Sequence, residues 1–226
     1  GNILIEDPVN NLYITSDDIA AEGVRMDNDS IGDIKASLVY DNKTKQLKAK
    51  GNSLDNPTSL AFDIDMNVSD PEQQKNNLIA LKTNNFQVKI LERFLGTLFS
   101  DMQGYVTGNF DLRGAFNHLE VTGKGRLKDA GLKVNFTQCF YKIQDTDIEL
   151  KPTEINLDGL VLTDPVTGNP VYLRGGIQHT TFKDMFFDLT VSTRKPNTTN
   201  TVNNKPVLLL NTNYNDNKQF YGRVKG

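Results

Sequence analysis

The chain has 226 residues, a mass of 25.3 kDa, a formal net charge of −3 and 37% hydrophobic residues. It is long enough to bury a substantial core, and a pI near 5.4 gives it no polyanion-binding character. No run of about 18 apolar residues could cross a bilayer as a helix, no signal peptide is evident, and one cysteine, Cys139, with His118 and His179 is too few ligands for a disulfide or a four-ligand zinc site.

A mean hydropathy of −0.46 is low for a globule, yet the apolar residues fall at regular places, which argues against disorder. Asp27-Asn28-Asp29-Ser30-Ile31-Gly32 has the outline of a calcium loop. Ile31 and Leu38 occupy its fifth and twelfth positions, where oxygen ligands are required, so it is not read as one. Asp41-Asn42-Lys43 and Asp55-Asn56-Pro57 are turn formers. Between Leu60 and Val68 the set Leu60, Phe62, Ile64, Met66, Val68 alternates with Ala61, Asp63, Asp65 and Asn67, the period of a half-buried strand.

From Asn84 to Ser100 the period changes. Val88, Leu91, Leu95 and Leu98 recur at steps of three and four, with Phe86, Ile90 and Phe94 widening the stripe. This predicts one short amphipathic helix over about 85–100, capped by Asn84 or Asn85, that covers an end or edge of a sheet or gates a groove.

Alternation then resumes. Val106, Phe110 and Leu112 share a face with Gly104 and Gly108, and Leu119, Val121 and Leu127 share one with Gly123 and Gly125. Glu120, Thr122, Lys124, Arg126 and Lys128 lie opposite; the basic row Lys124, Arg126, Lys128 with Lys133 reads as solvent face, and its alternative reading is a contact with lipid head groups. Gly123-Lys124-Gly125 lacks the rest of a phosphate loop, and its glycines suit a curved strand. Asp129-Ala130-Gly131 reads as a turn before Leu132, Val134 and Phe136, and Cys139, beside Phe140 and Tyr141, as a buried inert thiol. Asp164-Pro165 and Thr167-Gly168-Asn169-Pro170 are further turns, followed by the alternating sets Val171, Leu173, Ile177 and Phe187, Leu189, Val191. Residues 195–205 read as a mobile surface loop, and Phe220, Gly222 and Val224 as a last strand.

About fifteen runs with one apolar and one polar face, separated by turns, predict an all-β antiparallel fold wetted on one side. No catalytic constellation emerges: the two histidines lie far apart without a nucleophile elbow, and the pairs Asp63/Asp65 and Asp145/Asp147 sit on wet faces. The chain is read as non-catalytic and without cofactor, metal or nucleic acid. A sheet this broad either folds into a closed sandwich or curls partway and leaves an apolar trough. Periodicity alone favours the closed core.

From Leu78 onward the chain resembles the C-terminal region of the TamB family (translocation and assembly module proteins) of the AsmA-like bridge group, in its Bacteroidetes branch. The motifs are Asn84-Asn85-Phe86, Glu92-Arg93-Phe94-Leu95-Gly96, Gly104-Tyr105-Val106-Thr107-Gly108-Asn109-Phe110, Arg113-Gly114-Ala115-Phe116, and Asp129-Ala130-Gly131-Leu132-Lys133-Val134. Leu160-Val161-Leu162-Thr163-Asp164, Gly175-Gly176-Ile177-Gln178-His179, Phe182-Lys183-Asp184, Leu210-Asn211-Thr212 and Phe220-Tyr221-Gly222 follow in order. Residues 2–77 resemble upstream strands of the same family more loosely, and the Asn/Thr-rich stretch near 195–205 departs from its pattern.

The resemblance implies one elongated β-taco domain over 1–226, a fragment of a longer periplasmic protein anchored in the inner membrane by segments beyond this chain and reaching the outer membrane. It implies transport of phospholipid acyl chains along an open hydrophobic groove, or a scaffold role in outer-membrane protein assembly and secretion with a BamA/TamA-type barrel through β-edge pairing. Under this reading the groove is lined by Leu60, Phe62, Ile64, Met66, Phe110, Leu112, Leu119, Val121, Leu127, Leu132, Val134, Phe136, Leu173, Ile177, Phe187, Leu189, Val191, Phe220 and Val224.

Overall fold

The structure is a computed structural model that describes residues 2–26, 29–54, 59–96, 98–115, 118–135, 138–180, 184–193 and 221–225. Period-two alternation has the predicted result: the described residues form fifteen strands that pair antiparallel. They are β1 (Leu4–Glu6), β2 (Tyr13–Met26), β3 (Asp29–Asp41), β4 (Gln46–Ser53), β5 (Ser59–Asn67), β6 (Leu78–Gln87), β7 (Phe99–Ala115), β8 (His118–Val134), β9 (Cys139–Ile143), β10 (Thr146–Lys151), β11 (Glu154–Asn156), β12 (Val161–Thr163), β13 (Pro170–Thr180), β14 (Asp184–Ser192) and β15 (Tyr221–Lys225). The fold is all-β.

The pairing order is that of a meander. Strands β1 to β8 pair in sequence, and β13, β14 and β15 do the same. The apparent crossovers between them come from two interrupted passes. Both β9 and β10 pair with β8, so they are one pass broken at Gln144-Asp145. Both β11 and β12 pair with β13, at Ile155↔Ile177 and Leu162↔Val171, and form a second broken pass. On their other side β12 meets β9 (Leu162↔Ile143) and β11 meets β10 (Leu150↔Ile155).

The chain divides into two compact units, one of residues 1–86 and 106–125, the other of residues 87–105 and 126–226; β7 and β8 run through both. The second unit contains a packed cluster of Tyr141, Leu160, Leu162, Val171, Leu173 and Val191, each under 10% exposed, with Val134, Cys139, Ile143, Leu157 and Leu189 against it.

A short helical segment lies inside the span 85–100 expected for a helix, but it is shorter than expected. Strand β6 continues to Gln87, so Asn84 and Asn85 are strand residues rather than caps. A single 3₁₀ turn (Val88–Leu91) and one α-turn (Glu92–Leu95) follow, with Leu91 at the N-cap and no side-chain cap bond. Of the apolar stripe, Phe86 at the end of β6 and Val88 in the 3₁₀ turn are buried, while Ile90, Leu91, Leu95 and Leu98 are half-buried. Glu92 accepts a hydrogen bond from the Met102 backbone N–H and so fastens the turns to β7. A short helix over Pro71–Gln74, which alternation did not reveal, has Pro71 in its first turn and is capped by Asp70, whose carboxylate accepts from Glu72 N–H at 2.9 Å.

Among the turns, Asp41 accepts from Lys43 N–H at 2.8 Å. Asp164 accepts from Val166 N–H and Thr167 Oγ1 at 2.8 and 2.9 Å. Asp129-Ala130-Gly131 is not a turn but part of β8: Asp129 has φ 50° and its N–H donates to Asp145 Oδ1 at 3.0 Å while the strand continues to Val134. Asp55-Asn56-Pro57 and the loop at 195–205 lie outside the described residues.

Candidate functional site

The registers of β2 to β6 align apolar residues in rows across the strands, because directly opposed residues in a ladder project to the same face. One row is Ser16–Leu38–Ala49–Ile64–Ile79 and the next is Ile19–Ala36–Gly51–Phe62–Leu81. Flanking them are Ile14–Tyr40–Leu47–Met66 on one side and, on the other, Ala21–Ile34–Ser53 and Leu60–Thr83. No charged side chain interrupts these rows.

Charge is segregated onto the other face. There Lys48 and Lys50 stand opposite Asp65 and Asp63, with ion pairs at 3.2 and 2.7 Å, and Gln46 donates to Asp65. These pairs are exposed and contribute only about 0–1 kcal/mol each, but they oppose a one-residue slip that would put lysine among leucines.

The hydroxyls on the apolar face do not offer themselves to a ligand. Ser16 Oγ donates to Asn2 O at 2.7 Å, Ser53 Oγ to Ile31 O at 2.6 Å and Thr83 Oγ1 to Gly108 O at 3.4 Å, and these three residues are buried; the half-buried Tyr40 donates its hydroxyl to Asn42 Oδ1 at 3.1 Å. The large apolar side chains between them are less covered: Leu38, Leu47, Leu60, Phe62, Ile64, Ile79 and Leu81 are half-buried, and only Met66 is buried. The result is a neutral face of alkyl and phenyl groups that retains contact with solvent.

Of the residues expected to line a groove, Leu60, Phe62, Ile64 and Met66 share this face. Phe110, Leu112 and Val121 are half-buried in the same unit. In the second unit Leu173 and Val191 are members of the packed cluster, Val134 and Leu189 pack against it, and Leu127, Leu132 and Ile177 are buried. These serve as core, so the candidate face is confined to the first unit. Phe136 and Phe220, and the side chains of Leu119, Phe187 and Val224, lie outside the described residues. Sequence reading overlooked Leu38, Leu47, Ile79 and Leu81 as members. In Leu78-Ile79-Ala80-Leu81 every position is apolar, so parity alone could not say which two face the rows.

Other chemistry-bearing groups are placed elsewhere. Cys139 is half-buried rather than sealed, and the neighbouring Tyr141 phenol is pushed up to about 12 by burial first and by Cys139 second. In the basic row Arg126 pairs with Asp147 at 3.0 Å on the exposed surface. His179 is 4% exposed on β13, and burial holds its imidazole below the usual value. Among the described residues no group of three or more His, Cys, Asp or Glu is gathered to hold a metal ion, and no helix is long and apolar enough to cross a membrane. No protein-family model, curated protein or solved structure matches the chain.

Proposed function

We propose that the chain is a non-catalytic module whose neutral face carries phospholipid acyl chains, within a periplasmic protein of the TamB type that bridges inner and outer membranes. The observation that carries this reading is the combination on β2 to β6 of half-buried alkyl rows with serine and threonine hydroxyls turned inward to backbone carbonyls. Such a face solvates hydrocarbon and gives nothing to a polar ligand. Each methylene withdrawn from water contributes about 0.8 kcal/mol, so a fifteen-methylene chain needs roughly 12 kcal/mol of shelter to cross an aqueous space. A row spanning β2 to β6 covers four strand spacings, about 19 Å. A wall without a deep polar pocket also lets cargo move on.

The test is site-specific photocrosslinking in the presence of phospholipid vesicles. A photoreactive residue at Ile64 or Phe110 should capture phospholipid, and one at Asp63 or Asn109 should not. Equal capture from both sets rejects the assignment.

A specific observation favours a second reading, a scaffold that accepts a partner's strand, such as one from a BamA/TamA-type barrel. β1 ends the pairing order and is bonded on one side to β2, while Ile3, Leu4 and Ile5 are 63%, 53% and 55% exposed. An apolar edge of this kind templates strand addition. Leu4→Pro should abolish partner binding under this reading and leave lipid capture intact.

A further inference from the structure

We propose that Phe62 and Phe110 are the specificity-determining contacts of the acyl-chain face, and that Gly51 and Gly125 are positioning residues that let their rings lie down against the sheet. The inference rests on the acyl-chain reading above and deepens it. A glycine in a strand leaves its peptide group uncovered, a polar gap in an otherwise apolar wall. Here the gaps are filled from the neighbouring strand. A Cβ on Gly51 would meet Phe62 Cζ at 2.8 Å and Ala36 Cβ at 2.7 Å, besides the Lys35 carbonyl. A Cβ on Gly125 would meet Phe110 Cζ at 2.8 Å and Val106 Cγ2 at 3.0 Å. The phenyl rings therefore occupy the space over each glycine, the cross-strand arrangement in which an aromatic shields a glycine backbone.

Two consequences follow for the face. The row Ile19–Ala36–Gly51–Phe62–Leu81 has the smallest side chains, Ala36 and Gly51, at its centre. Over Gly51 the Phe62 ring replaces exposed peptide with hydrocarbon. A linear alkyl chain of a phospholipid can lie along such a line in unbroken apolar contact. A peptide segment could not, because the face has no charge and its hydroxyls donate to Asn2, Ile31, Asn42 and Gly108, so the peptide's amides would be buried without partners. Gly125 acts through Phe110: any side chain there lifts the ring off the sheet into the path of the cargo.

The test uses the full chain with a phosphatidylethanolamine carrying a diazirine in one acyl chain, presented in phosphatidylethanolamine–phosphatidylglycerol vesicles, with labelling normalised to folded protein by thermal unfolding. Phe62→Ala and Phe110→Ala should each lower labelling roughly fivefold, the loss of one aromatic contact, whereas Ile64→Ala on the same face should lower it about twofold. Gly125→Ala should lower labelling, and Gly125→Ala combined with Phe110→Leu should label no less than Phe110→Leu alone, because Gly125 acts through the ring; a purely structural role would add its loss to that of Phe110→Leu. If either alanine variant fails to fold, Phe62→Leu and Phe110→Leu give the same ordering with smaller steps. Phenylalanine variants that lose no more than Ile64→Ala overturn the inference while leaving the acyl-chain reading in place. A wild-type chain that takes no label overturns that reading itself.

Discussion

His179 sits in an environment that disfavours its charge. It is buried on β13 two positions from Ile177, which is 2% exposed, and its N–H bonds back to Thr153 O at 2.9 Å. Burial lowers its folded-state pKa below the ordinary 6.5, so the unfolded chain binds the proton more readily. The stabilisation is fully present above about pH 6.5 and is lost as pH falls toward the folded-state value. Urea midpoints measured at pH 7.5 and 5.5 should therefore drop on acidification, and His179→Gln should remove most of that drop whatever it does to stability at pH 7.5. Tyr141 behaves with the opposite hand: burial favours its neutral phenol, so its contribution survives to about pH 10 and fades toward 12.

At the scale of elements, a pair of asparagines holds the link from β5 through the Pro71–Gln74 turn to β6. Asn67 N–H donates to Asn77 Oδ1 at 2.7 Å, Asn67 Nδ2 to Thr44 O at 2.8 Å, and Asn67 Oδ1 accepts from Ser69 and Asp70 N–H at 3.1 and 2.8 Å. Both residues are almost wholly buried. Asn77→Ala leaves a buried backbone donor without its acceptor and should cost about 1–3 kcal/mol in chemical denaturation, against under 0.5 for Asn76→Ala, whose side chain is exposed. None of this was legible in the sequence, where asparagine reads only as a turn former. The strands were legible wherever one face is charged and the other apolar, as in Lys48/Lys50 against Asp65/Asp63. They were obscured where bulges shift the parity, as between Ser16 and Ile19 or Ala21 and Val24 in β2. The apolar spacing at 86–98 marked a helical segment but overstated its length, because Phe86 belongs to the end of β6 and Leu98 precedes β7 directly. The glycine–phenylalanine pairs were invisible because they depend on register between strands, which no single run of residues records.

For the whole molecule, the contrast lies between a sealed cluster in one unit and half-buried rows in the other. Leu162, buried among Tyr141, Val171 and Leu173, should cost about 2–5 kcal/mol when changed to alanine, because the cavity cannot collapse. Leu81 already meets solvent in the folded state and withdraws less surface on folding, so Leu81→Ala should cost roughly 1–2 kcal/mol by the same measurement. A face that forgoes part of its own burial is left with apolar surface that a ligand can cover. A ligand that binds only the folded face stabilises the elements forming it, by an amount set by concentration relative to affinity. Hydrogen exchange with and without phospholipid should then slow in β3, β4, β5 and β6 while β12 and β13 keep their rates, since the Leu162–Val171 cluster has no uncovered wall to shelter. Slowing in β12 and β13 with none in β4 to β6 would place the lipid on the wrong unit and remove the basis for an acyl-chain face on these rows.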